Sequence, residues 1–263
     1  MAYPEPNSSL PLEIVREDEE ILVVAKPSGQ VSLPGMGHAS DSVQNAAMAH
    51  AEAALGRLGA DRDFGLLHRL DRASSGLLLF AKTSRAYDQL REDFARRRIR
   101  KEYLAVTAAA PVRGEGVVRQ PLAEVRLQDR KVARPDPDGS PAVTHYRVRS
   151  RGRGGVALVE CRIETGRLHQ IRAHLSSLGA PLLGDLVYAR REPDGRASAG
   201  RQADREILLH AWRLGFQHPA TGKPALVECR PPDRFRQACR EKGLVFAGAG
   251  RKPSLQKKRK PRN

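Results

Sequence analysis

Apolar residues fall into short runs along most of the 263-residue chain, and only four stretches carry a helical period. LEIVRED (12–18) and ILVVAKP (21–27) read as two short strands separated by an acidic turn, with KPSGQ closing the second. GLLLFAK (76–82) is an apolar run of strand length. KEYLAVTA (101–108), LAEVRL (122–127), AVTHYRVR (142–149), VALVECRIET (156–165), ILLHAWRLGF (207–216) and ALVECR (225–230) read as further strands. Over residues 40–58, Val43, Ala46, Ala47, Ala54, Leu55 and Leu58 mark a helix with Ser40 or Asp41 as its cap. Residues 84–98 form a second helix with Tyr87, Leu90 and Phe94 on one side. HQIRAHLSSL is a short helix, with Ile171, Leu175 and Leu178 at i, i+4, i+7 and Gly179 as its stop. PDRFRQACREKGL supplies the last helix. Strands outnumber helices and do not alternate with them. The pattern therefore predicts an α+β fold, with a mixed, largely antiparallel central sheet and flanking helices.

The chain sits near the upper end of what one hydrophobic core supports, and its 40% hydrophobic composition is enough for such a core. Residues 11–247 are expected to form one domain, between a flexible N-terminus (1–10) and a disordered basic tail (248–263). Residues 190–205, rich in Gly, Ala and Asp and without periodicity, are expected to form a mobile loop. No stretch approaches the roughly 20 apolar residues of a membrane span. The N-terminus is Pro-rich and acidic and lacks a basic-then-apolar leader pattern, so the cytoplasm is the default compartment. The three cysteines are odd in number and widely spaced, which points to neither a disulfide framework nor a zinc ribbon. Cys161 and Cys229 read as buried small hydrophobes.

Charge changes the picture more than any other compositional fact. Lys and Arg number 46 against 30 Asp and Glu, for a formal net charge of +16. Residues 251–263 hold seven Lys or Arg and no acid, and taking those seven from +16 leaves the rest at +9. A basic folded body implies a polyanionic partner, and nucleic acid is the common one. A membrane surface fits less well, because no long basic amphipathic helix is present.

Two stretches concentrate polar residues against apolar ones. In LHRLDRASSGLLLFAK, His68, Arg69, Asp71 and Arg72 stand just before the apolar strand. Burying an Asp is unfavourable by several kcal/mol unless it is paired, so Asp71 needs a cation beside it. Taken alone, this fragment is read equally well as a structural Arg–Asp bridge at a strand entrance. In ETGRLHQIRAHLSSLGAPLLGDLVYA, Arg167, His169, Gln170, Arg172 and His174 crowd one strand-to-helix junction, where free N–H donors suit phosphate. His169 and His174 diverge by about 140° on a helix, and no Glu-flanked H-x-x-x-H occurs, so no metal is expected. Tyr103 heads a strand in KEYLAV, a position more often filled for packing than for function. His210 and His218 read as structural.

These stretches together resemble the RluA-type RNA pseudouridine synthases. The resemblance runs from about residue 12 to 235 and comprises ILVVAKPSG, HRLDRASSGLLLFAK, KEYLAV, PAVTHYRV, TGRLHQIRAHLSSLGAPLLGDLVYA and LLHAWRLGFQHPATG, in family order. HRLD and GRLHQIRAHL are its specific blocks. The resemblance implies a pseudouridine synthase fold over 11–247, with a cleft between two lobes, and isomerisation of uridine in structured RNA. By it Asp71 is the catalytic carboxylate and Arg172 its salt-bridge partner. Tyr103 is the ring packed against the target base, and Arg69 enters the RNA where the flipped nucleotide left. Ser74 stands where the family often has Thr, and Leu33-Pro34-Gly35 where it often has His-Pro-Gly. Many relatives carry an N-terminal S4-type RNA-binding domain, for which a pattern starting by residue 12 leaves no room. The basic tail is then a candidate source of RNA affinity.

The chemistry fits these residue types. Breaking C1′–N1, turning the uracil and joining C5 to C1′ makes the base both leaving and incoming group. No water need be activated, so no cofactor is expected and one carboxylate suffices where sugar hydrolases use two. An adjacent Arg favours the ionised carboxylate that such a step needs. His68, Arg72, Arg167, His169 and Gln170, together with Arg96, Arg97 and Arg98, are the expected RNA contacts. Ribosomal RNA is the favoured substrate and transfer RNA the next, with a monomer as the default state. The competing readings are an inactive RNA-binding or assembly protein of the same fold and a metal-dependent nuclease. Loss of Asp71 or Arg172 would mark the first, and both are present.

Overall fold

The computed structural model describes residues 3–127, 130–189 and 207–245. The loop expected over 190–205 and the basic tail lie outside the described residues. Among those described, a nine-stranded sheet is formed by β1 (Glu13–Glu17), β2 (Ile21–Lys26), β3 (Ser75–Ala81), β4 (Arg100–Thr107), β5 (Glu115–Arg119), β8 (Val143–Arg151), β9 (Ala157–Ile163), β10 (Leu209–Gln217) and β11 (Pro224–Glu228). Its order is β1-β2-β3-β10-β4-β9-β8-β5, with β11 added on β10. The remaining strands, β6 (Leu122–Leu127) and β7 (Arg130–Pro135), pair as a separate hairpin. All these pairings are antiparallel except β3 with β10. The expected α+β class with a mixed, largely antiparallel sheet is what the chain adopts.

Among the described residues four α-helices cover the sheet: α1 (Val43–Leu58), α2 (Ser84–Ala95), α3 (Gln170–Ser177) and α4 (Asp233–Glu241). β2 and β3 are buried on both faces, which is why they read as unbroken apolar runs. Leu22, Val24, Leu78 and Phe80 pack toward Val43, Ala47, Met48 and Leu55 of α1. On the opposite face Ile21, Val23, Leu77 and Leu79 meet Ala86, Tyr87 and Leu90 of α2. The other half of the sheet repeats this division. Ala105, Val159 and Cys161 lie in one core with Ile171 and Leu175 of α3, and Leu104, Val106 and Leu158 in another with Phe235 and Cys239 of α4.

Several expectations shift in detail. The cap of α1 is Ser42 rather than Ser40 or Asp41, and it exchanges hydrogen bonds with Asn45 in a capping box. Residues 3–10, expected to be flexible, lie against α1. The Asn7 amide donates to Asn45 O, and the Asn45 side chain donates to Glu5 O. Helix α2 stops at Ala95 because Arg97 takes a left-handed φ of 58°. The strands β5 and β7 carry too many Gly, Arg and Lys to stand out as apolar runs.

The sheet divides where β3 meets β10, which share only the pairs Ser75–His210 and Gly76–Ala211. Gly76 makes the approach possible. Its φ is +117°, and a Cβ there would sit 2.3 Å from the Ala211 carbonyl oxygen. Gly76→Ala is therefore expected to destabilise the protein by at least about 2 kcal/mol and lower its melting temperature by several degrees. An unchanged melting curve would show that the two strands can part without loss.

Candidate active site

A cleft of about 960 Å³ opens where the segment before β3, the start of β4 and the β9–α3 connection meet. Among the described residues seven cations line it (Arg69, Arg91, Arg97, Lys101, Lys131, Arg167 and Arg172), against three carboxylates, Asp71, Glu124 and Glu164. A polyanion is the guest such walls select.

Asp71 sits on a loop clasped by the end of β2. The ammonium of Lys26, buried to 1% exposure, donates to the carbonyls of Pro27, Gln30 and Arg72. Burial pulls its pKa down to about 7, against which the Asp71 charge works. Ser32 Oγ donates to Leu70 O and accepts the Leu70 amide. Ser28 Oγ donates to Ala73 O, and the Gly29 amide to Arg72 O. Thus every residue from 70 to 73 except Asp71 itself is fastened to the KPSGQVS segment, which leaves the Asp71 side chain presented to the cleft.

Arg172, on α3, points its guanidinium at that carboxylate. The Nη1–Oδ2 distance to Asp71 is 3.4 Å. Its principal partner is a residue not singled out in the sequence. Asp185 accepts from Nε at 2.7 Å and from Nη2 at 3.0 Å, and it is 1% exposed. Asp185 Oδ1 also accepts the amides of Val187 and Tyr188. Burial works against the Arg172 charge, but the Asp185 hydrogen bonds, then the charges of Asp185 and Asp71, outweigh it and raise its pKa. The guanidinium further lies 5.0 Å from the centre of the Tyr188 ring. Arg172 is therefore a fixed cation shared by two carboxylates, one buried and one facing the cleft.

Tyr103 lies in the cleft wall, 7% exposed, and its hydroxyl pKa is raised by burial and then by the Asp71 charge. His169 begins α3 in a left-handed conformation, with Nε2 3.9 Å from Asp71 Oδ2. Burial lowers its pKa, against the pull of Asp71. Arg69, Arg97 and Arg167 also line the cleft and are exposed.

Other expected contacts are engaged differently. Gln170, expected to touch RNA, is buried. Its amide donates to Val143 O and Thr144 Oγ1, while its oxygen accepts from Thr165 Oγ1 and the Arg167 amide. His68 borders the cleft, but its Nε2 accepts the Leu79 amide and its ring lies against Phe94. Arg72 donates to Gly29 O. Arg96 pairs with Glu92 and Arg98 with Asp93, outside the cleft lining. Lys101 lines the cleft instead, its amine 5.7 Å from the Phe94 ring and its pKa pulled by burial, then by Arg97, to about 8. Among the described residues no group of three or more His, Cys, Asp or Glu could hold a metal ion, and no helix is long and apolar enough to cross a membrane.

Two histidines around this framework are held neutral. Burial pushes His68 to about 3 and His210, bonded to Ser75 and Cys229 O, to about 4. Between their ordinary pKa of about 6.5 and those values, the unfolded chain binds protons that the folded chain refuses. Stability should be complete above pH 6.5 and decline on acidification toward pH 4. His210→Gln should show a shallower decline in melting temperature over that range. Identical slopes would contradict the assignment.

Residues 20–177 match the sequence model of a family described as RNA pseudouridylate synthase. The chain is 40% identical over 232 residues to ribosomal large subunit pseudouridine synthase D of Zymomonas mobilis, a match covering 88% of this chain and 72% of that protein. It is 38% identical over 226 residues to the synthase of the same name from Nitrosomonas europaea, covering 86% of this chain and 63% of that one. Among solved structures, human RNA pseudouridylate synthase domain containing 4 superposes with a TM-score of 0.70 at 25% identity, over 90% of this chain and 95% of that one.

Proposed function

Because the chain belongs to the RNA pseudouridylate synthase family, we propose that it converts uridine in large-subunit ribosomal RNA to pseudouridine, in the cytoplasm, with Asp71 as the reacting carboxylate. The two bacterial relatives named above act, by name, on the large ribosomal subunit, which favours ribosomal over transfer RNA. The observation that carries the catalytic assignment is a carboxylate loop fastened on both sides of Asp71, with a buried guanidinium 3.4 Å from its oxygen, inside a cleft of seven cations.

Each residue then has a task set by its chemistry. The target nucleotide leaves its stack at an expense of a few kcal/mol, and the Tyr103 ring recovers part of it by stacking on the base. Arg69, exposed at the cleft edge, fills the space the base vacated. Arg97, Lys101 and Arg167 hold backbone phosphates, and the shared Arg172 holds the Asp71 carboxylate in place. The carboxylate assists cleavage of C1′–N1, the uracil turns, C5 bonds to C1′, and the proton on C5 leaves as N1 gains one. Atoms balance without a second substrate.

RNA carrying tritium at uracil C5 reports this step, since the label is released when C5 loses its hydrogen. With labelled total RNA from cells lacking the gene, the wild-type chain should release tritium and Asp71→Asn should release none, while RNA affinity stays within about threefold. Pseudouridine mapping on the same RNA would identify the molecule modified. Turnover by Asp71→Asn would refute the catalytic assignment, and sites confined to transfer RNA would refute the substrate.

A further inference from the structure

The β6–β7 hairpin stands apart from the main sheet and borders the cleft with Glu124 and Lys131. RNA occupying the cleft lies against it. β7 also packs on α3, Ala133 meeting Ala173 with Tyr188 alongside. The Tyr188 hydroxyl donates to Ala133 O at 2.9 Å and accepts the Ala133 amide at 2.9 Å. One phenol thereby occupies both polar backbone groups of a hairpin residue.

The same side chain reaches the reacting centre by two routes. Its ring supports the Arg172 guanidinium at 5.0 Å, and Arg172 in turn bonds Asp71. Its hydroxyl lies 3.1 Å from His169 Nδ1, and the other nitrogen of that imidazole lies 3.9 Å from Asp71. The hydroxyl proton is spent on Ala133 O, so the imidazole Nδ1–H is the donor to Tyr188. The backbone of Tyr188 is fixed independently, its amide on Asp185 and its carbonyl on Ser176 Oγ. A shift of the hairpin therefore moves the tip of this ring while its base stays anchored.

We propose that Tyr188 is a positioning residue that couples the seating of RNA against the β6–β7 hairpin to the placement of Arg172 and Asp71. The inference rests on the reading of Asp71 as the reacting carboxylate, but it assigns Tyr188 a role distinct from any contact with the base. Without the hydroxyl the ring still supports Arg172, yet the hairpin no longer reports to it. Small displacements are enough to matter, because a misplacement of about 1 Å can cost a hundredfold in rate.

A double-mutant cycle separates coupling from mere packing. Single-turnover tritium release from the labelled total RNA is measured for the wild type, Lys131→Ala, Tyr188→Phe and the double variant, with RNA affinity and melting temperature recorded for each. Tyr188→Phe should slow the step about tenfold, with affinity within about twofold of wild type and a melting curve that still shows one folded state. Lys131→Ala should slow the step in the wild-type background and add nothing in the Tyr188→Phe background. Additive effects, an unchanged rate in Tyr188→Phe, or a loss of rate matched by an equal loss of affinity would each overturn the coupling. Turnover by Asp71→Asn in the same assay would strike the underlying reading alone, leaving the cycle itself interpretable.

Discussion

The guanidinium of Arg172 is the constraint around which the site is built. A charge this deeply buried is tolerated only when it is paired and its donors are used. Asp185 supplies the pairing from within the core, taking two N–H groups in a fork. Of the three N–H groups that remain, one on Nη1 is aimed at Asp71. The order of strength matters. The pair that stabilises Arg172 is the buried one, so the cleft-facing carboxylate is free to take another partner without leaving the arginine bare. A simple Asp71–Arg172 bridge, as the resemblance implied, would have tied Asp71 to its partner more firmly.

The rest of the fold serves to bring three segments to this point. The clasp formed by Lys26, Ser28, Gly29 and Ser32 fixes the loop that carries Asp71. The close β3–β10 crossing, possible only with glycine at position 76, sets that loop beside the start of β4. The buried network of Gln170, Thr165, Thr144 and His174 seats α3 on β8 and β9, so that Arg172 arrives at a fixed height. The first and third devices use polar groups inside the protein, satisfied by hydrogen bonds rather than by exposure.

Much of this was legible in the sequence, for identifiable reasons. Strands buried on both faces announce themselves as apolar runs, and the HRLD block stood out because four polar residues precede such a run. Arg172 and Tyr103 came from the resemblance; the first lies 3.4 Å from Asp71 and the second lines the same cleft. Asp185 and Tyr188 were within the quoted GDLVYA segment but carried no signal of their own, since their partners lie on α3 and β7. The bonds of Gln170 to β8 and the β9–α3 connection were hidden for the same reason, since only the fold brings those partners to it. The run of Arg96, Arg97 and Arg98 was read as one basic patch, whereas the turn at Arg97 sends only that residue into the cleft.

The most direct test of the shared guanidinium is the rate of tritium release by Arg172→Lys. Lysine keeps the positive charge and most of the length but has no planar fork to satisfy Asp185 and Asp71 together. The rate should fall at least about a hundredfold while RNA binding is kept. A variant that turns over like the wild type would show that charge alone suffices, and that the two-carboxylate geometry is not what prepares Asp71 for reaction.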